Sequence, residues 1–369
     1  MLKIVIIIGL FGWIAFFIAI YAYIKARKEK IRAIYEKEKE KRHPKVVVIG
    51  GGTGQSIFLR GLKHYTKNIT AIVTVADDGG GSGVLREDLG MLPPGDIRNC
   101  LLALANIEPT MNEVMKYRFT EGGLKGQSFG NLFLAAMNGI YGNFEVAVYK
   151  MSEVFAITGK VLPVTLNDVN LVAHLKNGKI IKGESKIPQS VRRDNTSIDR
   201  ISLEPQDVQP LEDVIISIKE ADIIVIGPGS LYTSIMPNLM VKGVVEAIKE
   251  TDVPKVYISN VMTQPGETDG YNVFNHIKAI QKHTKSNIID YIISNNRIVS
   301  EKIFEKYKKD GAEMVLLDKQ QKEQLKRIGA KTIEADLLQT DNKYIKHNAD
   351  AISKIVIDLA LSHKNDKSK

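Results

Sequence analysis

Short apolar runs rich in β-branched residues alternate with helical patterns from Lys45 onward, and this alternation limits the possible folds more than any other feature. Runs with strand character occupy residues 45–50, 69–76, 223–227, 254–260, 288–293 and 314–317. None of these runs has a polar face, as expected for parallel strands covered by helices on both sides. We therefore predict an α/β fold with a doubly wound, mostly parallel sheet.

The middle of the chain departs from this alternation. Helical patterns at about 97–106, 129–141 and 144–157 are followed by a more polar β region. In that region residues 171–175 and 179–182 flank Asn177-Gly178, a hairpin turn signal because both positions tolerate positive φ. We predict a domain of residues 45–363 with a helical and β-hairpin insertion at about 96–210, followed by a polar tail at 364–369.

The amino-terminal segment resembles a membrane anchor. Residues 4–24 form 21 uncharged positions between Lys3 and Lys25, enough to cross the roughly 30 Å hydrocarbon core as a helix. Residues 25–32 are rich in Lys and Arg, which places the following chain in the cytoplasm. We predict a single-pass anchor at 1–24 and a basic juxtamembrane stalk at 25–44; a cleaved signal peptide is the alternative, disfavoured by the length of the run.

Charge and cysteine content exclude other classes. The net charge is +9, but residues 1–45 hold eleven Lys/Arg and four Asp/Glu, which leaves a surplus of only +2 for the rest. A nucleic-acid binder would carry its basic surface on the folded domain, so no nucleic-acid partner is expected. Cys100 is the single cysteine, so no intrachain disulfide framework exists.

The first strand leads directly into a glycine-rich turn that suits a phosphate. Gly50 is followed by Gly51, Gly52, Thr53 and Gly54, and a helical pattern begins at once. Backbone N–H groups and the positive end of the helix dipole attract an anion at such a turn. The spacing matches neither a Walker A loop nor a complete dinucleotide fingerprint, and a glycine turn without a ligand is the alternative.

Two adjacent carboxylates follow the second strand. Asp77 and Asp78 precede a run of glycines in which Gly80 and Ser82 lie near the expected ligand. A carboxylate here could hold ribose hydroxyls, contribute to a divalent-cation site, or accept a proton in an enzyme. A solvated turn with a capping aspartate is the alternative.

Polar residues also open two helices of the insertion. Asp96 is placed as a helix N-cap, and Arg98, beside Asn99, could grip a phosphate with its planar guanidinium. Asn131 could orient a ligand or satisfy backbone groups.

Two further loops follow strands at the same predicted edge of the sheet. One begins with Gly227-Pro228, and the other spans residues 260–271. Ligands of open α/β sheets collect at the carboxyl edge, so both loops are candidate binding elements. Their candidate residues are Gly229, Ser230, Tyr232, Thr233, Ser234, Asn260, Thr263, Gln264 and Tyr271.

The motifs, taken in order, resemble the gluconeogenesis-factor family, which is related to the 2-phospho-L-lactate transferases. The resemblance covers residues 45–361 and rests on GGGTG, ADDGGGSG, LPPGDIRN, GNLFLAA, GPGSLYTS and NVMTQPGETDGY. It implies a Rossmann-like core that binds a nucleotide sugar such as UDP-N-acetylglucosamine. It also implies a role in cell shape and wall-precursor supply during gluconeogenic growth, with a protein partner in that pathway and a possible homodimer.

The resemblance further implies where the ligand lies. The diphosphate is expected between residues 51–54 and 229–233, with residues 260–271 near the sugar or base. Lys346 stands where the family commonly has Arg, and Gln127 stands where a family His is expected. Lysine keeps the charge and loses the planar fork.

Three functions remain open from the sequence. The leading one is a ligand-binding regulator without turnover. The second is a phospholactyl-type transferase that uses a divalent metal, such as Mg²⁺, at Asp77 or Asp78. The third is an NAD-dependent oxidoreductase with Asp77 on the ribose.

Overall fold

The computed structural model describes Tyr23, Lys25, Arg27, residues 43–341 and residues 344–367. The predicted anchor at 1–24 and stalk at 25–44 lie almost wholly outside the described residues. Among the helices within those ranges, none is both long and apolar enough to cross a bilayer.

Within the described residues, twelve strands form three sheets. They are β1 (Val46–Gly50), β2 (Ile69–Val73), β3 (Lys160–Pro163), β4 (Asn170–Leu175), β5 (Ile180–Lys182), β6 (Ile198–Glu204), β7 (Ile223–Ile226), β8 (Lys255–Ile258), β9 (Tyr291–Asn295), β10 (Lys331–Ala335), β11 (Leu338–Asp341) and β12 (Tyr344–His347). The main sheet has the order β10-β9-β8-β7-β1-β2-β3, and every neighbouring pair in it is parallel. This sheet confirms the α/β, Rossmann-like class.

Fourteen α-helices are described. They are α1 (Gly52–Leu62), α2 (Gly80–Leu89), α3 (Gly95–Leu104), α4 (Pro109–Lys116), α5 (Phe129–Tyr141), α6 (Phe144–Val154), α7 (Ile187–Arg193), α8 (Glu212–Lys219), α9 (Met236–Leu239), α10 (Val244–Glu250), α11 (Val273–Thr284), α12 (Glu301–Lys309), α13 (Lys319–Arg327) and α14 (Ala349–Lys367). The last helix therefore includes residues 364–367 of the predicted tail.

Five of the six predicted strands are present, and the sixth is wrong. Residues 314–317 form no strand, and Met314 makes only an isolated antiparallel bridge to Met262. The outermost strand on this side of the sheet is β10 instead, and its sequence KTIEA has no continuous apolar run. An edge strand is covered less completely than a central one, so it does not need such a run.

The predicted hairpin is confirmed within a three-stranded antiparallel sheet of order β5-β4-β6. Val172 pairs with Lys182 and His174 with Ile180, and Gly178 takes a positive φ of 85° in the turn. Strand β3, which also falls within residues 96–210, is a member of the main sheet. The insertion thus returns to the main sheet between its helices and its hairpin.

A partly buried histidine joins this small sheet to α11. The Nε2 atom of His283 accepts a hydrogen bond from the Ile201 N–H at 3.0 Å, and its Nδ1 atom donates to the Ala279 carbonyl at 2.7 Å. Burial lowers the pKa of His283, so the ring stays neutral at pH 7 and Nε2 remains an acceptor. The junction depends on this neutral form.

The core lies on both faces of the main sheet. Val48, Ile72 and Val225 of the central strands are fully buried, which explains why these strands show no polar face in the sequence. Because all seven strands are parallel, their carboxyl ends share one edge, where the glycine loops gather. The described residues from Pro44 onward form one compact unit.

Candidate functional site

Two glycine loops approach each other at the carboxyl edge of the main sheet. A Cβ atom on Gly54 would lie 2.8 Å from the Pro228 carbonyl oxygen, and one on Gly229 would lie 3.2 Å from the Gly51 carbonyl oxygen. The loop after β1 and the loop after β7 therefore touch backbone to backbone. Only glycine allows this distance without displacing one loop.

The amino terminus of α1 has no capping side chain of its own, and its Gly52 N–H donates to the Asp96 carboxylate. Its N-cap residue is Gly51, which has no side chain to bond the first N–H groups, and the first turn contains no acidic residue. The remaining N–H groups of the first turn and the helix dipole favour an anion at this position. The phosphate role of this turn stays a prediction.

A cavity of about 640 Å³ opens between these loops. Of the predicted residues, those that line it are Gly51, Gly52, Thr53, Gly54, Gly229, Ser230, Asn260, Thr263, Gln264 and Lys346. Ser234 and, within the predicted segment 260–271, Val261, Met262, Pro265 and Glu267 also line it. The sequence did not indicate the other lining residues, which are Ile57, Tyr307, Asp310, Ala312, Ile345 and His347. Ser234 and Glu267 lie inside the family motifs, whereas Tyr307, Asp310 and Ala312 follow no motif that could have identified them.

Polar side chains fix the loops around the cavity. The Asn260 side-chain amide donates to the Gly229 carbonyl at 2.9 Å, and the Gln264 amide donates to the Ser230 hydroxyl. The Asn238 amide donates to the Gly50 carbonyl at 2.8 Å at the end of β1. The loop after β8 is thus bonded to the loop after β7, and both are held against β1.

The hairpin of β11 and β12 contributes a positively charged side chain, Lys346, to the cavity wall. Register pairs Gln339 with Lys346 and Leu338 with His347. Lys346 is the only Lys or Arg among the described residues that line the cavity. Burial lowers the pKa of His347 to about 4, so His347 is neutral at pH 7.

Several predicted residues lie outside the cavity lining. Arg98 is buried and donates to the Ser128 hydroxyl at 2.6 Å and to the Asn99 side-chain oxygen at 2.7 Å. Ser128 in turn caps α5 by accepting from the Asn131 N–H at 3.3 Å. Arg98, Asn99 and Asn131 therefore form a polar cluster of the insertion, in which the guanidinium already bonds protein groups.

Two predicted aromatic residues bond to each other. The hydroxyl groups of Tyr232 and Tyr271 are 2.8 Å apart, and Tyr232 is almost completely buried. Neither residue is part of the cavity lining. Their direct bond accounts for both polar groups.

The paired carboxylates after β2 hold loops together. Asp77 accepts from the Gly79 N–H at 2.9 Å, and Asp78 accepts from the Ser185 N–H at 2.8 Å. Asp78 thereby joins its glycine-rich loop to the insertion. Gly80 and Ser82 open α2 beside this loop and, like the two aspartates, lie outside the cavity lining.

Asp96 is not the N-cap that the sequence suggested. Helix α3 begins at Gly95 with Pro94 as its N-cap, so Asp96 lies in the first turn. Its carboxylate accepts from the Gly52 N–H instead. Burial, together with the nearby charge of Asp77, raises the pKa of Asp96 to about 7.

Two further carboxyl groups flank the Thr233 hydroxyl. Thr233 lies 3.4 Å from a Glu267 carboxylate oxygen and also bonds Glu184. Burial is the main cause that raises the pKa of Glu267 to about 7. Burial and the charge of Asp77 raise the pKa of Glu184 to about 8. This region therefore carries less negative charge at pH 7 than its composition suggests.

Asp77 and Asp96 are the two carboxylates that would bind a divalent cation. Within the described ranges, no three His, Cys, Asp or Glu side chains converge as a metal site. Mg²⁺, however, is commonly bound by one or two carboxylates together with substrate phosphates. Asp77 and Asp96 interact with each other, and Asp96 borders the loop of Gly51. The donor set fits a cation that arrives with a phosphate-bearing ligand.

The fold and the paired glycine loops define an α/β protein with a ligand cavity at the carboxyl edge of its sheet. A family model described as 2-phospho-L-lactate transferase CofD matches residues 46–338. The chain belongs to this family, in its gluconeogenesis-factor branch.

Relatives and solved structures agree with this assignment. A Thermoanaerobacterium thermosulfurigenes relative is 58% identical over 316 residues, covering 86% of this chain and 97% of the relative. The gluconeogenesis factor of Bacillus subtilis is 45% identical over 317 residues, covering 86% and 98%. A crystal structure of a Bacillus halodurans protein has a TM-score of 0.81 and 45% identity, covering 85% of this chain and 99% of that chain.

Proposed function

We propose that this chain binds a nucleotide sugar of the UDP-N-acetylglucosamine kind in the cavity at the carboxyl edge. It would act as a membrane-tethered regulator on the cytoplasmic side, needed for cell shape and wall-precursor supply during gluconeogenic growth. The observation that carries the proposal is the close backbone approach of two glycine-rich loops beside the amino terminus of α1, whose N-cap Gly51 has no capping side chain. A diphosphate is the chemical group that such a surface favours.

The remaining parts of the cavity suit the other parts of such a ligand. Amide and hydroxyl groups of Ser230, Asn260 and Gln264 line one side and offer hydrogen bonds to sugar hydroxyls. The cavity volume of about 640 Å³ falls within the usual range for small-molecule sites. A regulator of this kind acts through a protein partner in wall-precursor synthesis, and we include homodimer formation in the proposal.

The cavity wall supports binding of an anion at neutral pH. Lys346 contributes a positive charge, and His347 beside it is neutral. Glu267 is half protonated near pH 7 because burial disfavours its charge. The wall therefore repels a diphosphate less than a fully ionised set of the same residues would.

A transferase is the second candidate, favoured by the matched family description and by the interacting pair of Asp77 and Asp96. These two carboxylates would hold Mg²⁺, which supplies charge neutralisation at the phosphates of a nucleotide conjugate. Asp96, with its pKa near 7, is also suited to exchange a proton with a hydroxyl group of an acceptor. The oxidoreductase alternative is less favoured. Asp77, the residue that would bind the ribose, already accepts a hydrogen bond from the Gly79 N–H and lies outside the cavity lining.

The replacement Lys346→Arg is expected to strengthen binding of UDP-N-acetylglucosamine, and Lys346→Ala to weaken it about tenfold or more. A charged hydrogen bond contributes about 1.5–3 kcal/mol, and arginine adds a planar fork for phosphate oxygens. Calorimetric titration of residues 44–369 measures both changes. Equal affinity of wild type and Lys346→Ala would remove Lys346 from the proposed site.

A matched control uses an exposed lysine outside the cavity. Lys125→Ala removes the same charge from the loop before α5 and should leave affinity unchanged. Unchanged melting temperatures in both variants would show that the difference lies in ligand binding.

A further inference from the structure

The edge of the main sheet opposite the cavity has its own charge pattern. Because the seven strands are parallel, their amino ends lie together at that edge. The chain enters the domain there, at Val46 of β1. The cavity, at the carboxyl ends, therefore opens on the opposite edge.

Four cations gather at the β9 and β10 end of this amino edge. Lys285 follows α11, Lys326 and Arg327 lie in the last turn of α13, and Lys331 begins β10. We call these four residues the basic edge.

Backbone and side-chain bonds bring these segments together. The Asn287 amide, two residues after Lys285, donates to the Ile328 carbonyl, which follows Arg327. The Lys331 N–H donates to the Asp290 carbonyl at 2.8 Å. The carboxyl ends of two helices and the start of a strand, with their exposed cations, thus lie next to one another at this edge.

These cations have no ion-pair partner among the described residues, whereas the neighbouring carboxylates do. Asp222 pairs with Lys364 at 3.4 Å, Asp252 with Lys367 at 3.1 Å and Asp290 with Lys255 at 3.8 Å. Each of these aspartates precedes a strand of the main sheet. Their charges are balanced, so the surplus charge of this edge comes from the basic edge.

Nearby charges do not cancel the surplus. Glu323 lies one turn before Lys326 on α13 and offsets one charge. Lys322 is occupied by Glu334 at 2.5 Å. The basic edge therefore keeps three net positive charges. The whole chain after residue 45 has a net charge of only +2.

We propose that the basic edge binds the surface of an anionic phospholipid bilayer. The charge is local rather than spread along a groove, which fits a flat anionic surface better than the length of a nucleic-acid strand. The residues that precede the domain support the same partner, because the sequence of residues 25–32 is basic and follows an uncharged apolar run. The cavity would then open away from the bilayer.

In the cell, binding of the basic edge to a bilayer rests on the proposed membrane tether. The vesicle experiment does not require the tether. The fragment of residues 44–369 suffices, because the described residues from Pro44 onward form one compact unit with its own core. Binding of the fragment therefore reports on the basic edge alone.

The test is co-sedimentation of this fragment with vesicles of phosphatidylcholine alone or mixed with phosphatidylglycerol. We expect binding only to the mixed vesicles, and a decline in binding as salt screens the charges. Each cation near an anionic surface adds about fivefold to the partition coefficient. The combined variant Lys285→Gln, Lys326→Gln, Arg327→Gln and Lys331→Gln should lower it at least tenfold.

The control variant removes the same number of charges elsewhere. It combines Lys116→Gln, Lys125→Gln, Lys179→Gln and Arg192→Gln, all at exposed positions of the insertion. Both variants should keep the wild-type melting temperature and nucleotide-sugar affinity, which separates this inference from the proposed function. Absence of vesicle binding, an equal loss in the control, or stronger binding to duplex RNA than to vesicles would overturn it.

Discussion

Replacing Gly54 by alanine is expected to lower nucleotide-sugar affinity at least tenfold while the domain stays folded. The new Cβ atom would lie 2.8 Å from the Pro228 carbonyl oxygen and 3.2 Å from the Gly229 nitrogen. Both contacts are with backbone, so the loops after β1 and β7 must separate. Small displacements at a binding site are costly because several hydrogen bonds lose their geometry together. Calorimetric titration gives the affinity, and thermal melting gives the stability.

Gly139→Ala is the matched control for Gly54→Ala. Gly139 lies in α5 and is exposed, and a methyl group added there would meet no atom within 4 Å. Alanine in a helix interior is more stable than glycine by roughly 0.5–1 kcal/mol. The control should therefore keep full affinity with a slightly higher melting temperature. Wild-type affinity in Gly54→Ala would contradict the proposed contact between the loops and the ligand.

The domain should lose stability as pH rises from 6.5 to 8, and Glu267→Gln should recover part of that loss. The pKa of Glu267 is raised to about 7 and that of Glu184 to about 8, and the pKa of Asp96 is also raised to about 7. The folded protein therefore binds more protons than the unfolded chain in this range. Stability then falls with pH, by about 1.4 kcal/mol per pH unit for each proton that differs.

Buried histidines act in the opposite direction at lower pH. The pKa values of His276 and His347 are lowered to about 4, so the unfolded chain binds more protons below pH 6.5. Their contribution is lost as pH falls toward 4, which opposes the carboxyl effect there. The three carboxyl groups outnumber these two histidines, and the histidine effect fades above pH 6.5, so stability should be lower at pH 8 than at pH 6.

Urea unfolding of wild type and Glu267→Gln at pH 6 and pH 8 tests this expectation. The amide keeps the shape of the protonated carboxyl group without its charge, so the variant should gain stability relative to wild type at pH 8. Glu121→Gln, at an exposed loop position, should behave like wild type at both values. A wild-type protein that is more stable at pH 8 than at pH 6 would show that these carboxyl groups are not buried as described.

The sequence predicted the central strands because burial on both faces demands continuous apolar runs. Strands β1, β2, β7 and β8 show such runs, and the loops after β1, β7 and β8 line the cavity. Strand β10 escaped detection because an edge position tolerates the polar residues of KTIEA. Residues 314–317 have the right composition, but tertiary contacts give Met314 only an isolated bridge.

Site residues were predictable where they lie on glycine loops and not where they arrive from distant elements. Tyr307 of α12 and Asp310 at its carboxyl end line the cavity. No motif in the sequence around them predicts this contact. Tyr271 and Arg98 have side chains suited to bind a ligand, yet each bonds another protein group. Partner choice within the folded chain depends on packing that a motif does not specify.

The most direct test of the proposed function is calorimetric titration of residues 44–369 with UDP-N-acetylglucosamine, GDP and NAD, with and without Mg²⁺. Each mixture is then analysed for reaction products. We expect saturable binding of the UDP-sugar without consumption of the ligand. Consumption of the ligand, or a preference for GDP that requires Mg²⁺, would contradict a regulator and support the transferase.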